Sequence, residues 1–217
     1  EGLVNMREHF EEELSKLSNA LVEMGALCED AISCAVKYLL KNDAQMKENA
    51  AEAEKQIDQK EREIETMCMR LLIQQQPVAT DFRMITSALK MISDMERIGD
   101  QALDIAEIAE YVTDDIKSKI NIKEMAETTV KMVMNSVDSY VRKDIDIANS
   151  VIGLDDTVDA LFDKAKSELI NVIRTENENA EGLLDLLMVA KYFERIGDHA
   201  ENIAEWVIFA VTGNHKA

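Results

Sequence analysis

Eight carboxylates stand out by type and spacing. Glu54 and Asp58 are four residues apart, and so are Glu96 and Asp100, Asp155 and Asp159, and Glu194 and Asp198. On a helix that spacing stacks each pair on one face. Two like charges so placed cost roughly a few tenths of a kcal/mol unless a cation sits between them. Repeating that cost implies a use for it. Oxygen ligands without nearby His or Cys select a hard or borderline cation: Fe(III), Mn, Mg, Ca or, less naturally, Zn. A single such pair is as well explained by a solvated helix face. Pairs that recur at matched positions point to metal.

The matching comes from an internal repeat. Glu96-Arg97-Ile98-Gly99-Asp100 returns as Glu194-Arg195-Ile196-Gly197-Asp198, an offset of 98 residues, with QALDIAE following the first copy and HAENIAE the second. Apolar residues keep helical steps of three and four through Ala88, Ile92, Met95, Gly99, Ala102, Ala106 and Ala109. The second copy does the same through Leu186, Ala190, Phe193, Gly197, Ala200, Ala204 and Val207. Each acidic pair lies one residue round from its stripe, about 100° away, on the shoulder of the expected core. At an offset of 101, Glu54 and Asp58 match Asp155 and Asp159, beside the stripe residues Ala53/Ile57 and Leu154/Val158. If the helices bearing them are antiparallel neighbours, four carboxylates converge in each half.

The elements that must position these groups are helices. The spacing predicts them over about 4–40, 43–74, 80–113, 121–142, 144–175 and 180–212. Asp43 is placed to cap the second, Pro77 to stop it, and Thr80 to cap the third. Arg142-Lys143-Asp144 repeats the break Lys41-Asn42-Asp43, and TENENAEG stands where the proline loop stood. Gly213 suits the position just past the last helix. The polar stretch 113–121 divides the halves. The chain therefore reads as all-α, two tandem pseudo-symmetric three-helix bundles over 1–116 and 117–217 packed on each other.

Composition excludes several functions. A single Pro and seven Gly among long runs of helix formers argue against sheet and disorder. A formal net charge of −19 repels nucleic acid and anionic membrane, and favours cations and basic partners. No basic stretch followed by an apolar core opens the sequence, and the longest apolar run, Trp206–Val211, is too short to span a bilayer. Cys28, Cys34 and Cys68 lack CxxC spacing; Cys28 and Cys68 fall on apolar stripes and read as buried reduced thiols, which suits a cytoplasmic location. No phosphate-cradling glycine loop or nucleophile–base pair is present, so no catalysis is expected. A di-iron oxidase would want Glu-x-x-His, and none of His9, His199 and His215 has a Glu three residues before it. A metal-free helical adaptor is the remaining alternative.

The segments LLIQQQPVATDFRMITSALKMISDMERIGDQALDIAE (71–107) and YFERIGDHAENIAEWVIFAVTG (192–213) resemble the signature segments of the PhoU family of phosphate-uptake regulators. The resemblance spans both halves. It implies two three-helix bundles holding multinuclear metal clusters on E(D)xxxD pairs, here Glu54/Asp58, Glu96/Asp100, Asp155/Asp159 and Glu194/Asp198. Iron is the first expectation, with zinc or another divalent metal behind it. It further implies negative regulation of phosphate uptake through the ATPase subunit of the phosphate-specific ABC transporter and a phosphate sensor histidine kinase. A homodimer is the expected assembly, reaching the membrane only through partners. Asp104 meets Asn202 at the repeat position, so the two sites are expected to differ. Arg97 and Arg195 read as counter-ions to neighbouring carboxylates, Gly99 and Gly197 as close-packing positions, and His199 as an exposed or outlying histidine.

Overall fold

A computed structural model of the chain describes residues 2–74, 77–175 and 180–214. It contains α1 (Gly2–Lys41), α2 (Ala44–Gln74), α3 (Ala79–Ile108), α4 (Asp114–Lys117), α5 (Ile122–Arg142), α6 (Ile145–Thr175) and α7 (Ala180–Thr212). No strand occurs among the described residues. The chain is all-α, as its periodicity predicts.

Local chemistry sets the turns. Asn42 and Lys143, matched in the repeat, both adopt left-handed backbone, with φ of 53° and 56°. The following aspartates cap the next helices: Asp43 Oδ1 accepts from the Gln45 N–H at 3.1 Å. Asp144 Oδ1 accepts from the N–H groups of Asp146 and Ile147 at 2.9 and 3.1 Å. Gly213, at φ 77°, ends α7 by donating its N–H to Phe209 O at 2.8 Å.

Two boundaries differ from expectation. Thr80 does not cap α3. The helix starts at Ala79, Val78 occupies the extended N-cap position without a side-chain bond, and the Phe82 N–H donates to Val78 O. The third helix also stops short of residue 113: α3 ends at Ile108 and tightens into a 3₁₀ turn over Ala109–Tyr111. In the expected polar boundary, α4 forms a single turn whose Lys117 is buried. Its Nζ donates to Asn42 Oδ1 at 2.7 Å and Asp114 Oδ1 at 3.0 Å, pinning the connection to the α1–α2 turn. The middle of the TENENAEG turn, residues 176–179, and His215 lie outside the described residues.

Helices α1, α2 and α3 pack mutually, as do α5, α6 and α7, and the two trios join through α3 on α7 and α1 on α5. Both repeat stripes are buried, from Ala88 to Ala109 and from Leu186 to Val207. Helices α3 and α7 run antiparallel, with Arg83 near the start of α3 donating its Nε–H to Ala210 O near the end of α7. Cys28 and Cys68 are buried free thiols, both pushed by burial to a pKa of about 12. They are inert core groups.

Candidate metal centre

Each bundle sets its second and third helices close enough for their acidic shoulders to meet. Gly99 of α3 faces Ile57 of α2, and Gly197 of α7 faces Val158 and Asp155 of α6. Ile57 and Val158 are repeat partners, so the two helix pairs share one register. That register carries Glu54 and Asp58 toward Glu96 and Asp100, and Asp155 and Asp159 toward Glu194 and Asp198.

The second bundle is the more tightly assembled. Asp155, Asp159 and Asp198 each offer one carboxylate oxygen, all within 4.8 Å of one another. Asp155 Oδ1 and Glu194 Oε2 are buried without a hydrogen-bond partner among the described residues. Burial, then the charges of Glu201, Asp159, Asp198 and Glu194, push the Asp155 carboxyl up from 3.8 to about 7. Asp198 is also raised, first by burial and then by Glu194. Lys191 Nζ lies 2.5 Å from Glu194 Oε2, an ion pair that lacks hydrogen-bond alignment. An orphaned buried oxygen inside a carboxylate cluster fits a cation, and the all-oxygen donor set fits a hard one.

In the first bundle the same four groups face one another without so tight a trio among the described residues. Glu54 is raised by burial and then by Asp58 and Asp100. Glu96 is raised by burial and then by Asp100, with Glu61 and Asp58 adding to it. Arginines engage three of these carboxylates from the outside. Arg97 Nη1 donates to Asp100 Oδ2 at 2.9 Å, with its Nε 3.4 Å from Glu96 Oε2. Arg62 Nη1 lies 3.7 Å from Asp58 Oδ2.

A PhoU domain family model matches residues 21–109 and again 122–207. The chain belongs to the PhoU family. It is 34% identical over 212 residues to a phosphate-specific transport system accessory protein PhoU homolog of Pseudomonas putida, covering 96% of this chain and 83% of that one. It is 35% identical over 210 residues to a protein of the same name in Clostridium acetobutylicum, covering 95% and 96%. The crystal structure of PhoU from Pseudomonas aeruginosa superposes with a TM-score of 0.84 at 34% identity, covering 94% of this chain and all of that one. The phosphate transport system regulatory protein PhoU from Streptococcus pneumoniae shares the fold, with a TM-score of 0.88 at 24% identity over 96% and 99% of the two chains.

Several neighbours of the PhoU-family pairs escaped the sequence pattern. Glu61 and Glu201 add a carboxylate to their respective clusters. Each lies three residues beyond a paired Asp on the same helix face, a spacing that could have revealed it. Arg97 is a counter-ion to its own pair, as read. Arg195 acts on a different carboxylate, Asp104 of α3, across the junction of the halves. His199 is largely shielded rather than exposed: its charge acts on the adjacent Asp198 of the second cluster, while its Nδ1 lies 2.9 Å from Asp94 Oδ1.

Proposed function

We propose that this PhoU-family chain is a metal-binding negative regulator of phosphate uptake and phosphate-starvation signalling. It acts by docking rather than by chemistry. Its partners are the ATPase subunit of a phosphate-specific ABC transporter and a phosphate sensor histidine kinase, met on the cytoplasmic side by a homodimer. The transport assignment follows the names of its relatives, accessory proteins of the phosphate-specific transport system. The net charge of −19 suits basic docking surfaces and gives nucleic acid no footing. No helix among the described residues is long and apolar enough to cross a membrane.

The observation that carries the metal assignment is the oxygen trio of Asp155, Asp159 and Asp198, gathered beside an orphaned Asp155 Oδ1. In the second bundle Asp155, Asp159, Glu194 and Asp198 would hold the ions; in the first, Glu54, Asp58, Glu96 and Asp100. The metal would neutralise charge that the fold otherwise holds at a cost, locking α2 to α3 and α6 to α7. Iron is the leading candidate and zinc or another divalent ion the next. Helices so locked present a fixed surface to a partner, which biases one signalling state over another.

Two measurements test the reading. Elemental analysis of chelator-free protein should find metal, with iron foremost. A metal-free result under both aerobic and anaerobic purification would reduce the chain to a helical adaptor. Deletion in the source organism should raise phosphate uptake under phosphate-replete conditions, and unchanged uptake and kinase output would remove the regulatory assignment.

A further inference from the structure

The two acidic clusters share one plan but differ at a matched contact beside it. In the first bundle Glu61 of α2 lies beside Ser93 of α3. At the matched positions of the second bundle stand Phe162 of α6 and Lys191 of α7. Lys191 Nζ lies 5.3 Å from the Phe162 ring centroid, over its face. The same ammonium is 2.5 Å from Glu194 Oε2, whose side chain is only 13% exposed. Phe162 is three residues past Asp159, and Lys191 three before Glu194, so both share the faces that carry the carboxylates. A cation over an aromatic face is favoured, so the ring holds the ammonium at the end of the acidic groove rather than leaving it to wander in solvent.

We propose that Lys191 is the built-in cation of the second site: its ammonium occupies Glu194, neutralises part of the cluster, and so weakens metal binding there. The inference rests on the metal reading of the acidic pairs. A metal ion entering this site must take Glu194 from a bound ammonium and then tolerate a like charge close by. The first site has no such group at the matched position, where Ser93 is neutral and Glu61 adds a negative charge. Its competing cations, Arg97 and Arg62, are 58% and 68% exposed against 41% for Lys191, and they reach the cluster from the solvent edge with no aromatic ring among the described residues to hold them. The two sites of one chain therefore fill at different metal concentrations, the first before the second.

The test uses the full chain with the first site disabled by Asp100→Asn, titrated with Mn²⁺ alone and followed by the EPR signal of the free ion. Lys191→Met keeps the stem that packs on Phe162 and removes the charge; Lys191→Gln is the second charge-free variant, and Lys191→Arg keeps the charge. Both neutral variants should bind Mn²⁺ roughly tenfold tighter than the parent, and Lys191→Arg within a factor of about two of it. In thermal melts the neutral variants should lose stability without metal and gain more than the parent on adding Mn²⁺. A purely structural lysine would lower both melts. If the parent binds and the neutral variants bind no tighter, the inference falls while the metal reading stands. If neither the parent nor any variant binds Mn²⁺, both fall together.

Discussion

Gly197 of α7 backs onto Asp155 of α6: a Cβ at position 197 would stand 3.1 Å from Asp155 Oδ1 and 3.4 Å from Val158 Cγ1. At its repeat partner Gly99 the nearest neighbour is apolar; a Cβ there would stand 2.9 Å from Ile57 Cδ1 and 3.3 Å from Ile57 Cγ2. Gly197→Ala should therefore act on the metal cluster, and Gly99→Ala on the core. At 197 a helix-propensity gain of about 1 kcal/mol offsets the small shift asked of Asp155, leaving the metal-free melt near wild type. Displacing Asp155 should nevertheless weaken metal binding several-fold. At 99 the fully buried Ile57 must move, an overpacking cost of about 1–3 kcal/mol that exceeds the same gain. Calorimetric melts and Mn²⁺ titrations of the two variants should separate in opposite directions.

The raised Asp155 carboxyl sets a pH dependence with a definite sign. Its folded pKa of about 7 stands above its ordinary 3.8, so folding favours the protonated form. That contribution is full below about pH 4 and is lost as pH rises through about 7. The raised carboxyls of Glu54, Glu96 and Asp198 act in the same direction. Metal-free protein should thus lose stability between about pH 4 and pH 7, read as a falling melting temperature. Bound metal should reverse the trend, because cations displace those protons. Metal affinity should rise over the same interval, with proton release measurable in a weakly buffered titration.

Asp94 and His199 tie the two halves together. Asp94 Oδ1 lies 2.9 Å from His199 Nδ1 and accepts from Asn202 Nδ2 at 3.2 Å. A carboxylate only accepts, so His199 carries its proton on Nδ1. Both partners are largely shielded, at 16% and 19% side-chain exposure. Asp94→Ala leaves the shielded His199 N–H unpaired on α7, while water can take the exposed Asn202 amide, and should cost about 1 kcal/mol of stability in urea unfolding. The metal content of the first site should be unaffected, since Asp94 faces α7 rather than α2.

Much of this arrangement was legible because period and repeat report the same thing. Steps of three and four fixed the stripes that the structure buries, and matched positions paired Glu54/Asp58 with Asp155/Asp159. The misjudged boundaries failed for local reasons. Val78, extended after Pro77, already supplies the N-cap carbonyl of α3, so Thr80 falls inside the helix. Ala109 continues the apolar stripe although the backbone has tightened to 3₁₀, so periodicity overran the end. Rotamer competition was not legible at all. Arg97 and Arg195 are identical in the repeat, yet one lies on its own pair and the other faces Asp104 across the junction, where the repeat partner is Asn202.

That competition makes Asp100→Ala and Asp198→Ala unequal tests of one idea. Each removes one of the four paired carboxylates of its cluster, and a cation so deprived is undercoordinated, so each variant should lose metal mainly from its own bundle. Their metal-free forms should differ. Asp198 adds to the charge that raises Asp155, and burial, Glu194 and Asp159 outweigh Lys191 and His199 in raising its own carboxyl, so its removal relieves repulsion and should raise the metal-free melt. Asp100 is held by Arg97 at 2.9 Å, so its removal relieves repulsion with Glu96 but gives up that ion pair, leaving Arg97 on Glu96 alone, and the melt should barely move. Helical circular dichroism should match wild type in both. Full metal content in both variants would overturn the ligand assignment. A metal-free melt lowered equally in both would instead make these aspartates structural groups of the bundles.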